Sequence, residues 1–332
     1  MRGVRNGLWR PGASTLLGAA VSIASLAAVG WWVAGQSAPR LPEGASGWAY
    51  LIGAGAVVAV NFAFRGLRWH LVLRYAEIEH RARDAFGLTL VGYMGNNVLP
   101  VRGGELLKIG LLGPRSSARR REVLGTVLVE RVLDAGVLAL LFVGLAWAGE
   151  EASSNTGAMP TIVTAVLVLA VVALPVYVRL RSRGHFERFA TTIRPVAGAA
   201  RIFIRPAGWA LALLSLVIWC MDALALMMMA KSLELGLAFP AALAVVVLGS
   251  LASAVPAAPG YLGTFDAAVL VGLHAAGIEG GSAVSLLLLM RFVYFVPVTF
   301  VGLGVLLLGY RTSPRPRLVV EPPPRAAPEG PR

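Results

Sequence analysis

The sequence predicts an all-α polytopic membrane protein built as an inverted repeat. Of its 332 residues, 57% are hydrophobic and only 14% are charged, whereas soluble domains carry about 25% charged residues. Runs of about twenty apolar residues, enough to cross roughly 30 Å of hydrocarbon, recur along the chain. Two other apolar segments, one in each half, are interrupted by proline, glycine and an acid. Each half is therefore predicted to contain two spans, a re-entrant or broken helical hairpin, and a third span.

Six apolar stretches are long enough to be predicted as full spans. They cover residues 15–35, 48–72, 123–148, 160–179, 208–230 and 282–310. The first stretch follows three arginines, as the core of a signal peptide does. Because its apolar run is longer than a usual signal core, we expect a span that is retained.

These spans divide the chain into two membrane repeats with flanking segments. The predicted order is a cytoplasmic N-terminus (1–13), a first repeat (14–148) with a hairpin at 84–112, an external loop (149–159), a second repeat (160–310) with a cytoplasmic loop (180–207) and a hairpin at 240–276, and a disordered cytoplasmic tail (311–332). The tail is rich in proline and arginine, a composition that cannot bury a core.

The basic residues predict the orientation of the chain. Of 30 lysines and arginines, 24 fall at the N-terminus, in stretches 65–83, 115–121 and 179–205, or in the tail. Short cytoplasmic loops carry such an excess, so both termini are predicted on the cytoplasmic side of the cell membrane. Segment 84–112 then enters from the cytoplasm and returns there, whereas segment 240–276 does so from outside. Opposite orientation of the two halves is the inverted-repeat plan of many secondary transporters.

The two interruptions predict the position of a binding site. The first is PVRGGE at Pro100–Glu105, and the second is PGYLGTFD at Pro259–Asp266. Backbone groups in hydrocarbon must be paired, so irregular backbone is tolerated only where protein or a water-filled cavity covers it. Interrupted helices at corresponding positions of two halves are a pointer to a transporter's substrate site.

In the first hairpin, Arg102 and Glu105 are the candidate site residues. A guanidinium matches the oxygens of a phosphate, so Arg102 is predicted to hold a lipid phosphate. Glu105 is predicted to orient Arg102 or to bind a cationic headgroup or a proton. The alternative is an internal Arg102–Glu105 pair that only stabilises the hairpin.

The third full span carries Glu130, Arg131 and Asp134. Glu130 and Asp134 share a helical face, and Arg131 and Asp134 have the spacing of a pair. Gating of a substrate path and static pairing between helices both remain open.

In the second half, Asp266 is the predicted counterpart of Glu105, and Arg291 is predicted to line the same cavity, pairing with Asp266 or contacting the headgroup. A buried structural pair is the alternative. Asp222 is a further cavity candidate, whereas Arg65 and Arg68 are expected to extend towards the membrane surface.

Three motifs occur in an order that resembles a known family. They are NNVLPVRGGELLKIGLL at Asn96–Leu112, VERVLD at Val129–Asp134 and PAAPGYLGTFDAAVL at Pro256–Leu270. Together they look like the transmembrane-domain family of lysylphosphatidylglycerol synthase/flippases. Carried onto this sequence, the family pattern implies a substrate site at Asn97, Arg102, Glu105, Glu130, Arg131, Asp134 and Asp266.

The sequence departs from the family pattern in two respects. Tyr261 and Leu262 replace a glycine-richer turn, and Asp266 stands where glutamate is usual. The soluble aminoacyl-transferase domain of the bifunctional members is also expected to be absent. The resemblance therefore implies lipid translocation and argues against synthesis of lysylphosphatidylglycerol.

The function predicted is movement of an anionic phospholipid or a polyprenyl-linked lipid headgroup between leaflets. An integral membrane transferase acting on a lipid phosphate is one alternative, and a non-transporting membrane partner of a glycosyltransferase or synthase is another.

No nucleotide-binding, metalloprotease, CxxC or serine-hydrolase motif is present, so no cofactor or metal and no enzymatic activity are predicted. The net charge of +13 comes mainly from arginines in loops, which argues against a nucleic-acid partner. The sequence does not predict the oligomeric state.

Overall fold

The computed structural model describes residues 27, 29–31, 33–99, 103–116, 118–152, 206–253 and 259–310. All the regular secondary structure in these residues is helical. Several sequence predictions lie outside them: the N-terminus 1–13, the span 160–179, the tail 311–332, and most of the first span, the external loop and the cytoplasmic loop.

The helices follow the predicted order of spans and hairpins. They are α1 (Gly44–Tyr75), α2 (Ala82–Val98), α3 (Gly103–Leu112), α4 (Arg120–Ala152), α5 (Pro206–Ser232), α6 (Phe239–Ala252), α7 (Thr264–Ala275) and α8 (Gly280–Gly309). Single 3-10 turns at Gly113–Arg115 and Pro259–Tyr261 follow α3 and precede α7. The long helices coincide with four predicted spans to within a few residues.

The helices at the predicted spans are longer than the helices that form the arms of the two hairpins. Helices α1 and α8 and residues Ala207–Ser232 of α5 are long and apolar enough to cross a membrane. The arms α2, α3, α6 and α7 have 17, 10, 14 and 12 residues. At 1.5 Å per residue, α3 is only about 15 Å long, half of a bilayer's hydrocarbon thickness.

Glycine allows the two arms of the first hairpin, α2 and α3, to approach closely. A Cβ atom built on Gly104 would lie 1.9 Å from the carbonyl oxygen of Gly92, and one on Gly95 would lie 2.5 Å from the Cα of Gly104. Side chains would force the arms apart, so the GG pair after the interruption sets the distance between α2 and α3.

The second hairpin, formed by α6 and α7, has a turn with left-handed backbone. Gly260 and Gly263 have φ values of 67° and 87°, and Tyr261 has a φ of 56°. Tyr261 thus occupies a conformation that glycine adopts more readily, at the position where the family pattern is glycine-richer. Asp266 closes the turn by accepting a 2.8 Å hydrogen bond from the Gly263 amide.

In the described residues, the main helix–helix contacts within and between the halves have counterparts. Helix α1 packs along α5, and these two helices pack against α2 and α6 respectively. In the same way α3 packs on α4 as α7 does on α8, and α8 packs on α2 as α4 does on α6. The hairpins of both halves are therefore enclosed by long helices from both halves.

The end of α8 is tied to the first hairpin. The hydroxyl of Tyr310, the residue after α8, donates a 2.9 Å hydrogen bond to the Asp84 carboxylate, and the guanidinium of Arg115 lies 4.6 Å from its ring centroid. Burial, followed by the contact with Asp84, raises the pKa of the Tyr310 hydroxyl. These contacts join the end of α8 to the start of the first hairpin and to the turn after α3.

Candidate functional site

A cavity of about 260 Å³ lies between the two hairpins. Helices α1, α2, α4, α5, α6, α7 and α8 all contribute to its wall. Its polar and aromatic lining residues are Asn61, Phe62, Arg65, Tyr93, Asn96, Asn97, Arg131, Asp134, Trp219, Asp222, Ser250, Ser253, Tyr261, Phe265, Tyr294 and Phe295. The wall thus combines aromatic faces with a few ionic and amide groups, as ligand pockets do.

Arg131 is the most exposed of the cations that form ion pairs inside the described part of the protein. Its side chain is 39% exposed and lines the cavity. One edge of its guanidinium donates to Glu105 on α3, and Nη1 lies 3.6 Å from the Asp134 carboxylate. Contacts with Glu105 and Asp134 therefore fix the guanidinium of a partly exposed arginine that lines the cavity.

A series of alternating charges continues from Arg131 into the protein. Asp134 also accepts a 2.5 Å hydrogen bond from Arg68, and the Nε of Arg68 lies 3.6 Å from Glu130. Glu130 then accepts a 2.8 Å hydrogen bond from the ammonium of Lys108. Opposite charges alternate along this series, as buried charges require, because desolvating an unpaired ion costs several kcal/mol.

A second buried ion pair joins α1 to α5. Arg65 donates a 2.6 Å hydrogen bond to Asp222 and another, also of 2.6 Å, to the hydroxyl of Tyr93. Asn61 donates a 2.7 Å hydrogen bond to the other Asp222 oxygen. The Arg65 guanidinium lies 5.1 Å from the ring centroid of Trp219. All five side chains line the cavity.

The expectation that Arg65 and Arg68 extend to the membrane surface is wrong. Both residues are buried, because Asp222 and Asp134 lie within hydrogen-bond distance. These two arginines therefore belong to the ionic network, and the Arg65 pair brings Asp222 into the cavity wall.

In the second half, Arg291 and Asp266 form a pair. The Nε of Arg291 donates a 2.7 Å hydrogen bond to Asp266, and Nη2 lies 2.6 Å from the same carboxylate oxygen. Nη1 donates to the carbonyl oxygen of Gly260, and Nη2 lies 3.5 Å from that of Tyr261. The side chain of Arg291 is only 16% exposed. Arg291 is not among the described residues that line the cavity. The structure thus does not place Arg291 in the wall of this cavity, whereas its predicted contact with Asp266 is present.

The other predicted site residues are distributed as follows. Asn97 lines the cavity and donates a 2.9 Å hydrogen bond to the Thr299 hydroxyl on α8. Glu105 and Glu130 lie instead at a separate void of about 10 Å³, room for about one water molecule. Arg102 lies outside the described residues.

Sequence reasoning missed Lys108 as part of the network. Its ammonium lies 3.7 Å from the centroid of the Trp69 ring and binds Glu130. Lys108 follows Glu105 by three positions on a short apolar helix, so helical spacing was a usable signal. Trp219 and Tyr93 gave no comparable signal, because aromatic residues in apolar segments usually pack.

Comparison with known proteins agrees with the motifs. The family described as "Lysylphosphatidylglycerol synthase TM region" matches residues 15–302. A UPF0104 membrane protein of Methanothermobacter thermautotrophicus is 21% identical over 290 residues, which cover 77% of this chain and 84% of that protein. A second UPF0104 membrane protein of the same organism is 24% identical over 261 residues, or 72% of this chain and 77% of that protein.

A third relative is much longer than the matched region. Glycosyltransferase AglD of Haloferax volcanii is 25% identical over 279 residues, which cover 68% of this chain but only 43% of AglD. The family match covers most of the chain and includes both hairpins and the long helices that carry the ionic network. The chain is therefore an integral membrane protein that belongs to the lysylphosphatidylglycerol synthase transmembrane-region family.

Proposed function

We propose that the protein is a lipid translocase, which moves the headgroup of an anionic phospholipid or a polyprenyl-linked lipid between leaflets. The headgroup crosses through the cavity between the hairpins while the acyl or prenyl chains stay in the surrounding lipid. One observation carries the proposal: Arg131 lines this cavity, and its side chain is 39% exposed. Such a group binds phosphate oxygens through charge-assisted hydrogen bonds.

We also propose that both hairpins re-enter the membrane and that the halves form an inverted repeat. The four hairpin arms are shorter than the roughly 20 residues that a crossing needs. The paired helix contacts support the repeat. So do the loops after α1 and α5, where Glu77 and Glu234 stand at the same distance from the helix end with φ values of 57° and 60°.

The proposed setting is the cell membrane, with both termini on the cytoplasmic side. The arginine-rich stretches between the predicted spans support this orientation. Because Arg65 and Arg68 are buried in the ionic network, the stretch 65–83 contributes three surface arginines to that argument instead of five.

The alternative functions remain those of a transferase acting on a lipid phosphate and of a membrane partner for a glycosyltransferase or synthase. The relative named glycosyltransferase AglD favours the partner role, because more than half of its length lies outside the match. In this alternative, the present chain would anchor such an enzyme in the membrane or supply lipid to it. In the proposed function the protein itself is a carrier without enzymatic activity.

The proposal is tested in lipid vesicles that contain fluorescently labelled phosphatidylglycerol. A membrane-impermeant quencher measures how fast label from the inner leaflet reaches the outer one. We expect wild-type protein to accelerate this exchange and Arg131→Gln to slow it by on the order of tenfold or more, since a hydrogen bond to a charged group is lost. Arg121→Gln, at an exposed position of the same helix, is the control. Exchange with wild-type protein no faster than in protein-free vesicles would exclude translocation.

A further inference from the structure

Two acid–arginine pairs occupy matching positions in the two halves. Glu105 is the third residue of α3, and Asp266 is the third residue of α7. Arg131 is the twelfth residue of α4, and Arg291 is the twelfth residue of α8. We call Glu105 with Arg131 the first station and Asp266 with Arg291 the second station. In both stations an acid at the start of a short helix holds an arginine on the long helix that follows.

The stations differ at two neighbouring positions. The residue before the acid is Gly104 in the first half and Phe265 in the second. The residue four positions after the arginine, one turn further along the same face, is Ala135 in the first half and Phe295 in the second. Small residues in one half thus correspond to aromatic residues in the other.

These differences explain why the two arginines are unequally exposed. The guanidinium of Arg291 lies 4.9 Å from the ring centroid of Phe265 and 4.4 Å from that of Phe295. Both rings line the cavity and therefore separate Arg291 from it. Arg131 has no ring at the equivalent positions, and its side chain is 39% exposed compared with 16% for Arg291.

We propose that the second station is a second binding site for the phosphate of the transported lipid, closed in this structure by the rings of Phe265 and Phe295. The headgroup would pass from the first station to the second when these rings move aside. This inference rests on the proposed function and specifies a second site on the same path.

The hydrogen bonds of Arg291 suit an exchange of ligands. Its Nε and Nη2 are both held by Asp266, whereas Nη1 donates to the carbonyl oxygen of Gly260 and Nη2 lies 3.5 Å from that of Tyr261. Those carbonyls belong to the left-handed turn of the second hairpin. A shift of this turn would free the Nη1 donor, and a phosphate oxygen would replace the neutral Gly260 acceptor by a stronger, charged one.

The test counts lipids bound to the full-length protein in detergent by native mass spectrometry. The probe is dioleoyl phosphatidylglycerol, with dioleoylglycerol as the lipid that lacks phosphate. We expect Phe295→Ala to retain one more phosphatidylglycerol per chain than wild type, without a gain for dioleoylglycerol. The matched control is Phe300→Ala, because Phe300 lies on the same helix and is 70% exposed.

A second set of variants assigns the added lipid to the second station. Neutralising the pair with Arg291→Gln and Asp266→Asn in the Phe295→Ala protein should weaken binding of the added lipid by on the order of tenfold or more. Phe295→Leu, which keeps an apolar side chain but removes the aromatic ring, should show the same gain if the alanine variant does not fold. Inorganic phosphate, added as a competitor, should displace the lipid only partially, because the chains also bind.

Three results would overturn the inference. One is equal lipid binding by wild type, both Phe295 variants and Phe300→Ala. Another is an added lipid that survives neutralisation of Arg291 and Asp266. The third is a gain in bound inorganic phosphate without a gain in bound lipid. Binding in detergent does not require translocation, so failure of the vesicle assay with wild-type protein would count against the proposed function and not against the second station.

Discussion

At the scale of single residues, the buried cations depend on acids that lie far along the chain. Arg65 and Asp222 are separated by 157 positions, and Arg68 and Asp134 by 66. Each arginine alone has the sequence signature of a residue near the end of a span. Only packing of α1 against α4 and α5 places the acids within reach. Sequence reasoning identified Asp134 and Asp222 as candidates, but it expected Arg65 and Arg68 at the membrane surface and did not pair them with acids on distant helices.

Removing one member of such a pair should be more damaging than removing both. We expect Arg65→Met to lower the free energy of unfolding by about 3–5 kcal/mol, because it leaves the Asp222 carboxylate buried without its cation. The double variant Arg65→Met with Asp222→Leu should recover most of this loss. Thermal unfolding of the purified protein in detergent measures both effects. The control is Arg74→Met at an exposed position of α1; an equal loss in the single and double variants would contradict the pairing.

At the scale of elements, proline and glycine in apolar segments correctly indicated where the helices are interrupted. Helix α3 begins at Gly103, and each interruption separates two short helices. The sequence could not show how closely the arms pack. That distance depends on Gly92 and Gly95, which lie on α2 opposite Gly104. The sequence also could not show that Phe265 and Phe295 cover Arg291, because the identity of an aromatic residue does not indicate which group its ring contacts.

The contact between α2 and α3 predicts a position-specific effect of one methyl group. Gly104→Ala should destabilise the protein by about 1–3 kcal/mol, as overpacking does, because its Cβ atom would overlap the Gly92 carbonyl oxygen. Gly110→Ala on the same helix should have little effect, since a Cβ atom there would meet nothing within 4 Å. Thermal unfolding compares the two variants. Similar stability of both would show that the arms are not in close contact.

At the scale of the whole molecule, the proposed inverted repeat would place the loops after α1 and α5 on opposite sides of the membrane. Charge counting predicts this arrangement, and the paired helix contacts are compatible with it. The sequence halves lack the residue-level similarity that would reveal a repeat directly. The correspondence between the two halves is visible instead in the two acid–arginine pairs, which occupy the same positions within their helices.

Cysteine labelling tests this topology. In a Cys220→Ser background, which removes the single native cysteine, Glu79→Cys lies after α1 and Gly236→Cys lies after α5, both at exposed positions. A membrane-impermeant maleimide applied to intact cells should label Gly236→Cys but not Glu79→Cys. Labelling in inside-out vesicles should show the reverse. Labelling of both positions from one side would contradict the inverted arrangement.

The central claim is that a lipid headgroup crosses through the cavity beside Arg131. The most direct measurement is the exchange of labelled phosphatidylglycerol in vesicles that contain Ala135→Phe. This variant places a ring where Phe295 covers Arg291 in the second half. Leu140→Phe, on the same helix at a position 75% exposed, is the control. We predict that Ala135→Phe slows exchange by on the order of tenfold or more, the equivalent of one hydrogen bond to a charged group, whereas Leu140→Phe exchanges lipid at the wild-type rate. Unchanged exchange in folded Ala135→Phe protein would contradict a path through this cavity.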